Sequence, residues 1–227
     1  MAKILWDKAG EHYYETGVDH GVLYTLDSKG AYAKGVAWNG LTTVTETPSG
    51  AEANAQWADN IKYLNLYSAE ELGLTIEAFT YPDEFALCDG TAELAPGVSV
   101  GQQDRQMFGL SYRTKVGNDL EGNNLGYKLH LVYGCKASPS ERGYATINDS
   151  PEPIGFSWEV STAPISVEGH QPTSIVTIDS RKVDQSKLAA LEAKLYGSDT
   201  AEPTLPLPDE IAKILGATSN PSPVSGS

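Results

Sequence analysis

The side chains able to do chemistry in this chain are four carboxylates close in sequence, Glu77, Asp83, Glu84 and Asp89, together with four histidines and two cysteines. Paired carboxylates run glycoside hydrolysis, one as acid and the other as base or nucleophile. The same residues have a plainer use: Pro82-Asp83-Glu84 turns the chain after a strand, and Asp89-Gly90 makes a further turn. His12, His20, His130 and His170 show neither HExxH nor a cysteine-pair spacing that would gather ligands on one metal. No GxGxxG or GxxxxGK(S/T) loop opens a helix for phosphate, and no Gly-X-Ser-X-Gly elbow presents a nucleophile. The expectation is a protein without catalytic residues, cofactor or metal.

Cys88 and Cys135 read as free, mostly buried thiols, because a chain of 227 residues does not need a disulfide staple. His130 alternates with apolar neighbours, which places it on the polar side of a strand. Trp6, Trp38, Trp57 and Trp158 are aromatic faces of the kind that stack on sugars, but Trp38 and Trp158 sit in strand patterns where core burial accounts for them. Trp57 stands apart in a polar stretch, where it is better suited to anchor an interface.

The elements that must position these residues are mainly strands. Residues 35–45 and 60–67 mix β-branched, aromatic and aliphatic residues at strand spacing. The interval 46–59 holds a Pro48-Ser49-Gly50 breaker, three acids (Glu46, Glu52, Asp59) and no base, and is read as a long polar hairpin loop. Ordinary hairpins close in about two to five residues, so a longer loop must offset its ordering entropy through something it contacts. Residues 21–27 read as a first strand. Leu72, Leu74, Ile76 and Ala78 alternate with more polar residues, as do residues 108–113, 127–133 and 156–160, each with one apolar and one polar face. Residues 114–127 carry two Gly/Asn clusters and read as a moderately long turn, and 174–179 as a final strand.

Helical period enters late. Asp184 is placed as an N-cap, Leu188, Leu191 and Leu195 form one stripe, and Gly197 stands at the C-terminal cap position. Residues 202–208 read as extended and Pro208–Leu215 has the pattern of a short helix. The expected fold is mainly β, sandwich-like or barrel-like, with one flanking helix and a long hairpin loop. Residues 1–215 form its single domain and 216–227 a flexible tail.

Charge narrows the partners. Thirty acids against sixteen bases give −14, which argues against a sequence-specific grip on nucleic acid. No stretch approaches the ~18 apolar residues of a membrane span, and the apolar run at the N-terminus is too short for a secretory signal, so folding in the cytoplasm is expected.

Several segments resemble the major tail proteins of long-tailed, non-contractile bacteriophages: Gly35-Val36-Ala37-Trp38-Asn39-Gly40-Leu41, Ala58-Asp59-Asn60-Ile61-Lys62-Tyr63, Glu77-Ala78-Phe79-Thr80-Tyr81-Pro82-Asp83-Glu84-Phe85 and Gly101-Gln102-Gln103. Residues 127–134, Ile147-Asn148-Asp149-Ser150-Pro151 and Phe156-Ser157-Trp158-Glu159-Val160-Ser161-Thr162 continue the likeness. The resemblance implies a tail-tube subunit of the virion, assembled in the host cytoplasm. Six copies would close into rings that stack around a tape-measure protein, with tail terminator and distal tail proteins at the ends. DNA would later cross the lumen without specific binding. In that role the interval containing Glu46, Pro48, Glu52, Trp57 and Asp59 would reach the next ring, and Glu77, Arg113, Lys128 and Glu159 on polar strand faces are candidates for the lumen. Alternatives are a carbohydrate-binding β-sandwich adhesin and, more remotely, a glycoside hydrolase using the four acids above.

Overall fold

The computed structural model describes residues 3–147 and 149–216, so the expected tail lies outside the described residues apart from Gly216. The chain is mainly β and antiparallel. Strands β1 (Tyr14–Leu26), β2 (Tyr32–Ala37), β3 (Leu41–Gly50), β4 (Ala53–Ala58), β5 (Ile61–Tyr67) and β6 (Glu70–Ala78) come first. A 3-10 turn at Asp83–Leu87 leads into β7 (Ala92–Ala95), β8 (Val98–Val100), β9 (Phe108–Asn118), β10 (Gly122–Ala137), β11 (Phe156–Ser161) and β12 (Ile175–Asp179). Helices α1 (Gln185–Tyr196) and α2 (Pro208–Leu215) close the described chain.

One continuous sheet runs β2-β1-β9-β10-β11-β6-β3, and β12 also pairs with β10. The long strand β10 serves both halves: residues 128–132 pair with β12, whereas Lys136 and Ala137 pair with Ser161 and Val160 of β11. Between them the register shifts and Gly134 takes φ +60. A Cβ at Gly134 would stand 2.3 Å from the Ala163 carbonyl oxygen, so only glycine lets β10 pass from one half to the other.

Two apolar clusters follow. The first joins β1, β9 and β10 to β6 and β11 through Leu23, Phe108, Leu110, Val132, Leu74, Ile76, Trp158 and Val160. Trp38 and Phe85 complete it, and Trp38 meets Trp158 edge-on at 5.7 Å while its indole N–H donates to the Thr80 carbonyl at 3.0 Å. Both free cysteines belong to this cluster, and burial pushes the Cys88 thiol up to about 12. The second cluster sets Val22, Tyr24, Leu129, Leu131, Tyr133 and Ile178 against Leu188, Leu191 and Leu195 of α1 and Ile211 of α2.

Because these clusters lie on opposite sides of β1, β9 and β10, the central strands are buried on both faces. The polar faces expected along 108–113 and 127–133 are therefore corrected: Ser111, His130 and Val132 are all buried. Helix α1 starts as expected, with the Asp184 carboxylate accepting from the Ser186 and Lys187 backbone N–H groups. The short helix read at Pro208–Leu215 is present as α2, with its own apolar side, Pro208 at its start and Gly216 at φ +77 as its cap, so two helices flank the sheet where the expected fold had one. The proline-rich stretch before it lies along the outer edge of β2: Gly35 N–H donates to the Pro203 carbonyl and Leu205 N–H to that of Tyr32. That contact shields an otherwise open strand edge.

The expected turn at 114–127 shrinks to three residues, because β9 runs to Asn118 and β10 starts at Gly122. Asn118 Oδ1 accepts from the backbone N–H groups of Leu120 and Glu121 and so closes the turn.

Candidate functional site

The polar interval 46–59 is not a loop. Residues 46–50 belong to β3 and pair with residues 70–74 of β6, and Ala53–Ala58 pairs with Ile61–Tyr67 as a separate two-stranded ribbon. The reversal is a two-residue turn at Asp59 and Asn60, both with positive φ (52 and 63). Hairpin strands favour that left-handed pair because its twist matches theirs, and Asp and Asn tolerate it best after glycine. The arm expected at 35–45 is likewise divided. Residues 38–40 turn with Gly40 at φ +76, so β2 joins β1 while β3 joins β6.

The result is a long projection with a stem, β3 and β6, rooted in the core, and an outer ribbon, β4 and β5. Between the two paired ladders, residues 51, 52, 68 and 69 have no ladder partner, and Gly50 and Ala51 take φ +84 and +54. Neither apolar cluster includes a side chain from β4 or β5. Trp57 is 69% exposed, and Ile61, Tyr63, Leu64, Leu66 and Tyr67 are exposed beside it. Their pattern alone gives an ordinary strand arm; the Asp59-Asn60 pair is the signal in the sequence for a tight turn, and hence for an isolated ribbon. Among the other expected contact residues, Pro48 and Glu52 are exposed near the junction and Asp59 sits at the tip.

Glu46 behaves differently. Its carboxylate turns to the core side of β3, where it accepts a 2.6 Å hydrogen bond from the Tyr112 hydroxyl and lies 3.5 Å from His130 Nδ1. His130 stacks on Tyr112 at 4.7 Å, and its Nε2 lies 3.0 Å from Thr114 Oγ1. Burial pulls the imidazole below its usual range, with the Glu46 charge opposing. This cluster fastens the stem to β9 and β10.

The four lumen candidates do not share one surface. Glu77 lies opposite Thr43 and Ser157, and Glu159 opposite Thr75, so both stand on the outward side of β3-β6-β11 with their apolar neighbours turned inward. Strand alternation puts Thr45, Thr47 and Ser161 on the same side, making a face of hydroxyls and carboxylates with Lys136 at its margin. Arg113 and Lys128 lie in the other half of the sheet, and each is already paired. Arg113 binds Asp19 through two hydrogen bonds (2.7 and 3.1 Å) and covers the Tyr127 ring, while Lys128 pairs with Glu15.

An open groove of about 910 Å³ passes Tyr13, Arg113, Lys115, Tyr127 and Arg181, but its two arginines are committed to Asp19 and Asp179. The four acids considered for hydrolysis do not converge. Glu77 faces outward on β6, Glu84 pairs with Lys34 at 3.0 Å, Asp83 opens the 3-10 turn, and buried Asp89 pairs with Arg142. Among the described residues, no group of three or more His, Cys, Asp or Glu is placed to hold a metal, and no helix is long and apolar enough to cross a membrane.

No protein-family model matches the chain, and no curated protein matches it significantly.

Proposed function

We propose that this chain is the repeating subunit of a phage tail tube, in which six copies close into a ring and rings stack into a conduit for DNA. The observation that carries the reading is the ribbon β4–β5: an exposed apolar extension, absent from the chain's own core, is what a subunit needs to grip another copy. The two halves of the sheet are then the layers of a sandwich-like tube domain, and the outward face of β3-β6-β11 lines the lumen. Thr, Ser, Glu77 and Glu159 dominate this surface and Lys136 stands only at its margin, so the polyanion finds little to hold it and passes without adhering. The tape-measure protein would fill that lumen before DNA does, and terminator and distal tail proteins would cap the stack.

The three exposed aromatics Trp57, Tyr63 and Tyr67 favour one alternative, a carbohydrate-binding adhesin that stacks sugars on the ribbon. Electron microscopy of purified protein at rising concentration separates the two. Sixfold rings or tubes are the expected result. Persistent small particles that bind glycans would replace the tube reading with the adhesin.

A further inference from the structure

The ladder of the outer ribbon assigns its side chains to two faces. Residues directly opposite in an antiparallel pair share a face, and the partners are Ala53 with Tyr67, Asn54 with Leu66, Ala55 with Asn65, Gln56 with Leu64, Trp57 with Lys62 and Ala58 with Ile61. The register shift after Gln56 places the extra residue, Tyr63, on the Trp57 side. One face is therefore aromatic, with Trp57, Tyr63 and Tyr67, and the other aliphatic, with Ile61, Leu64 and Leu66.

Both faces are open. The aromatic residues are 69, 68 and 68% exposed and the aliphatic ones 61, 40 and 57%. With ~150–250 Å² for a large aromatic side chain, the three rings alone leave roughly 400 Å² uncovered. The aliphatic face adds a smaller area, so each face supplies only part of the ~800 Å² that one partner contributes to a standard interface. A two-stranded ribbon is marginal in water by itself, and covering only one face would leave the other wet.

Charge identifies the occupant. Residues 53–67 contain one acid, Asp59, and one base, Lys62, so the ribbon is neutral while the chain as a whole carries −14. A neutral apolar tongue is the part of an acidic subunit that approaches another such subunit without like-charge repulsion. We propose that the ribbon is gripped on both faces at once by two neighbouring copies of this chain, the aromatic face against one and the aliphatic face against the other. This rests on the tube reading above and specifies the partners of its contact arm.

The test uses the full-length chain. Tyr63→Lys with Tyr67→Lys disables the aromatic face, and Leu64→Lys with Leu66→Lys the aliphatic one; melting temperature reports folding, and sedimentation with electron microscopy reports assembly. Each pair is expected to lower the assembled fraction at least tenfold while melting stays close to wild type. A photo-crosslinking residue placed at Tyr63, and separately at Leu64, reads the geometry without added charge. Neighbouring positions on opposite faces should capture two different segments of other copies. Wild-type assembly that survives loss of either face, or one segment captured from both positions, overturns the double grip and leaves the tube reading intact. A wild-type chain that never assembles, or that inserts the ribbon into phosphatidylcholine vesicles, overturns both.

Discussion

Tyr112 on β9 donates its hydroxyl proton to Glu46 on β3 at 2.6 Å, and that bond ties the stem of the projection to the central sheet. Tyr112→Phe removes the donor and leaves the carboxylate facing a buried imidazole. The expected loss is about 1–2 kcal/mol, toward the lower end for a charge-assisted bond because Glu46 is partly solvated. A urea midpoint that falls with unchanged slope checks it. An unchanged midpoint would mean that the bond has no net effect.

His130 brings a pH dependence to the same cluster. Its folded-state affinity for a proton is depressed by burial, with Glu46 and Glu15 opposing and Lys128 reinforcing. The unfolded chain therefore binds that proton first, and stability contributed by the neutral ring is lost as pH falls below about 6.5. Asp179, held down to about 2 chiefly by its hydrogen bond to Arg181, loses its contribution in a lower window, from about 3.8 toward 2. Thermal melts from pH 7.5 to 5 should decline in wild type and flatten in His130→Gln.

Gly134→Ala tests the passage of β10 between the two halves of the sheet. The added Cβ meets the Ala163 backbone at 2.3 Å, and the positive φ adds its own strain. A loss of at least about 1–3 kcal/mol is expected, read as a lower melting temperature or poor soluble yield. Gly97→Ala, with an open site at positive φ, is the milder control.

Excising residues 52–68 and closing the gap with a short Asn-Gly turn should leave the core folded, because no side chain there enters either apolar cluster. Assembly should stop. A shorter cut of 47–58, natural if that interval were a loop, should instead unfold part of the sheet, since it strips residues 70–73 of β6 of their β3 partners. Circular dichroism and electron microscopy on both deletions distinguish the two outcomes.

Reversing the outward face should convert a passive wall into an adhesive one. Glu77→Lys with Glu159→Lys alters two exposed positions, so folding should be unaffected. Assembled tubes of this variant should retain double-stranded DNA fragments at low salt and release them at high salt, whereas wild-type tubes retain none. Equal retention by both would remove this face from the lumen.

The strands with clean alternation, 72–78 and 156–160, were legible because one of their faces meets solvent. The capped helix after Asp184 was legible from a local rule. The central strands mislead for a physical reason: Ser111 and His130 look like surface residues, yet distant sequence covers both, Tyr24 and the layer beyond it over Ser111, and Glu46 of β3 over His130 on the opposite face. The projection is hidden in the sequence because Pro48, Gly50 and the acids of 46–59 resemble loop punctuation. Edge strand β3 tolerates them, its free side having no ladder bond to lose. The separation of Arg113 and Lys128 from Glu77 and Glu159 depends on pairing across the sheet, which local pattern does not encode.

The junction at residues 50–52 and 68–69 separates two mechanical regimes. Outside it the ribbon is held by its own ladder; inside it β6 carries Leu74 and Ile76 into the core. A load applied to the ribbon is met first by the unpaired residues, where Ala51 and the adjoining Gly50 already sit in the left-handed region, and only then by the packed sheet. In a stacked assembly, curvature would be taken up by small rotations at these joints, leaving each domain undistorted. The bending stiffness of the whole column would then be set by a handful of residues between the ladders.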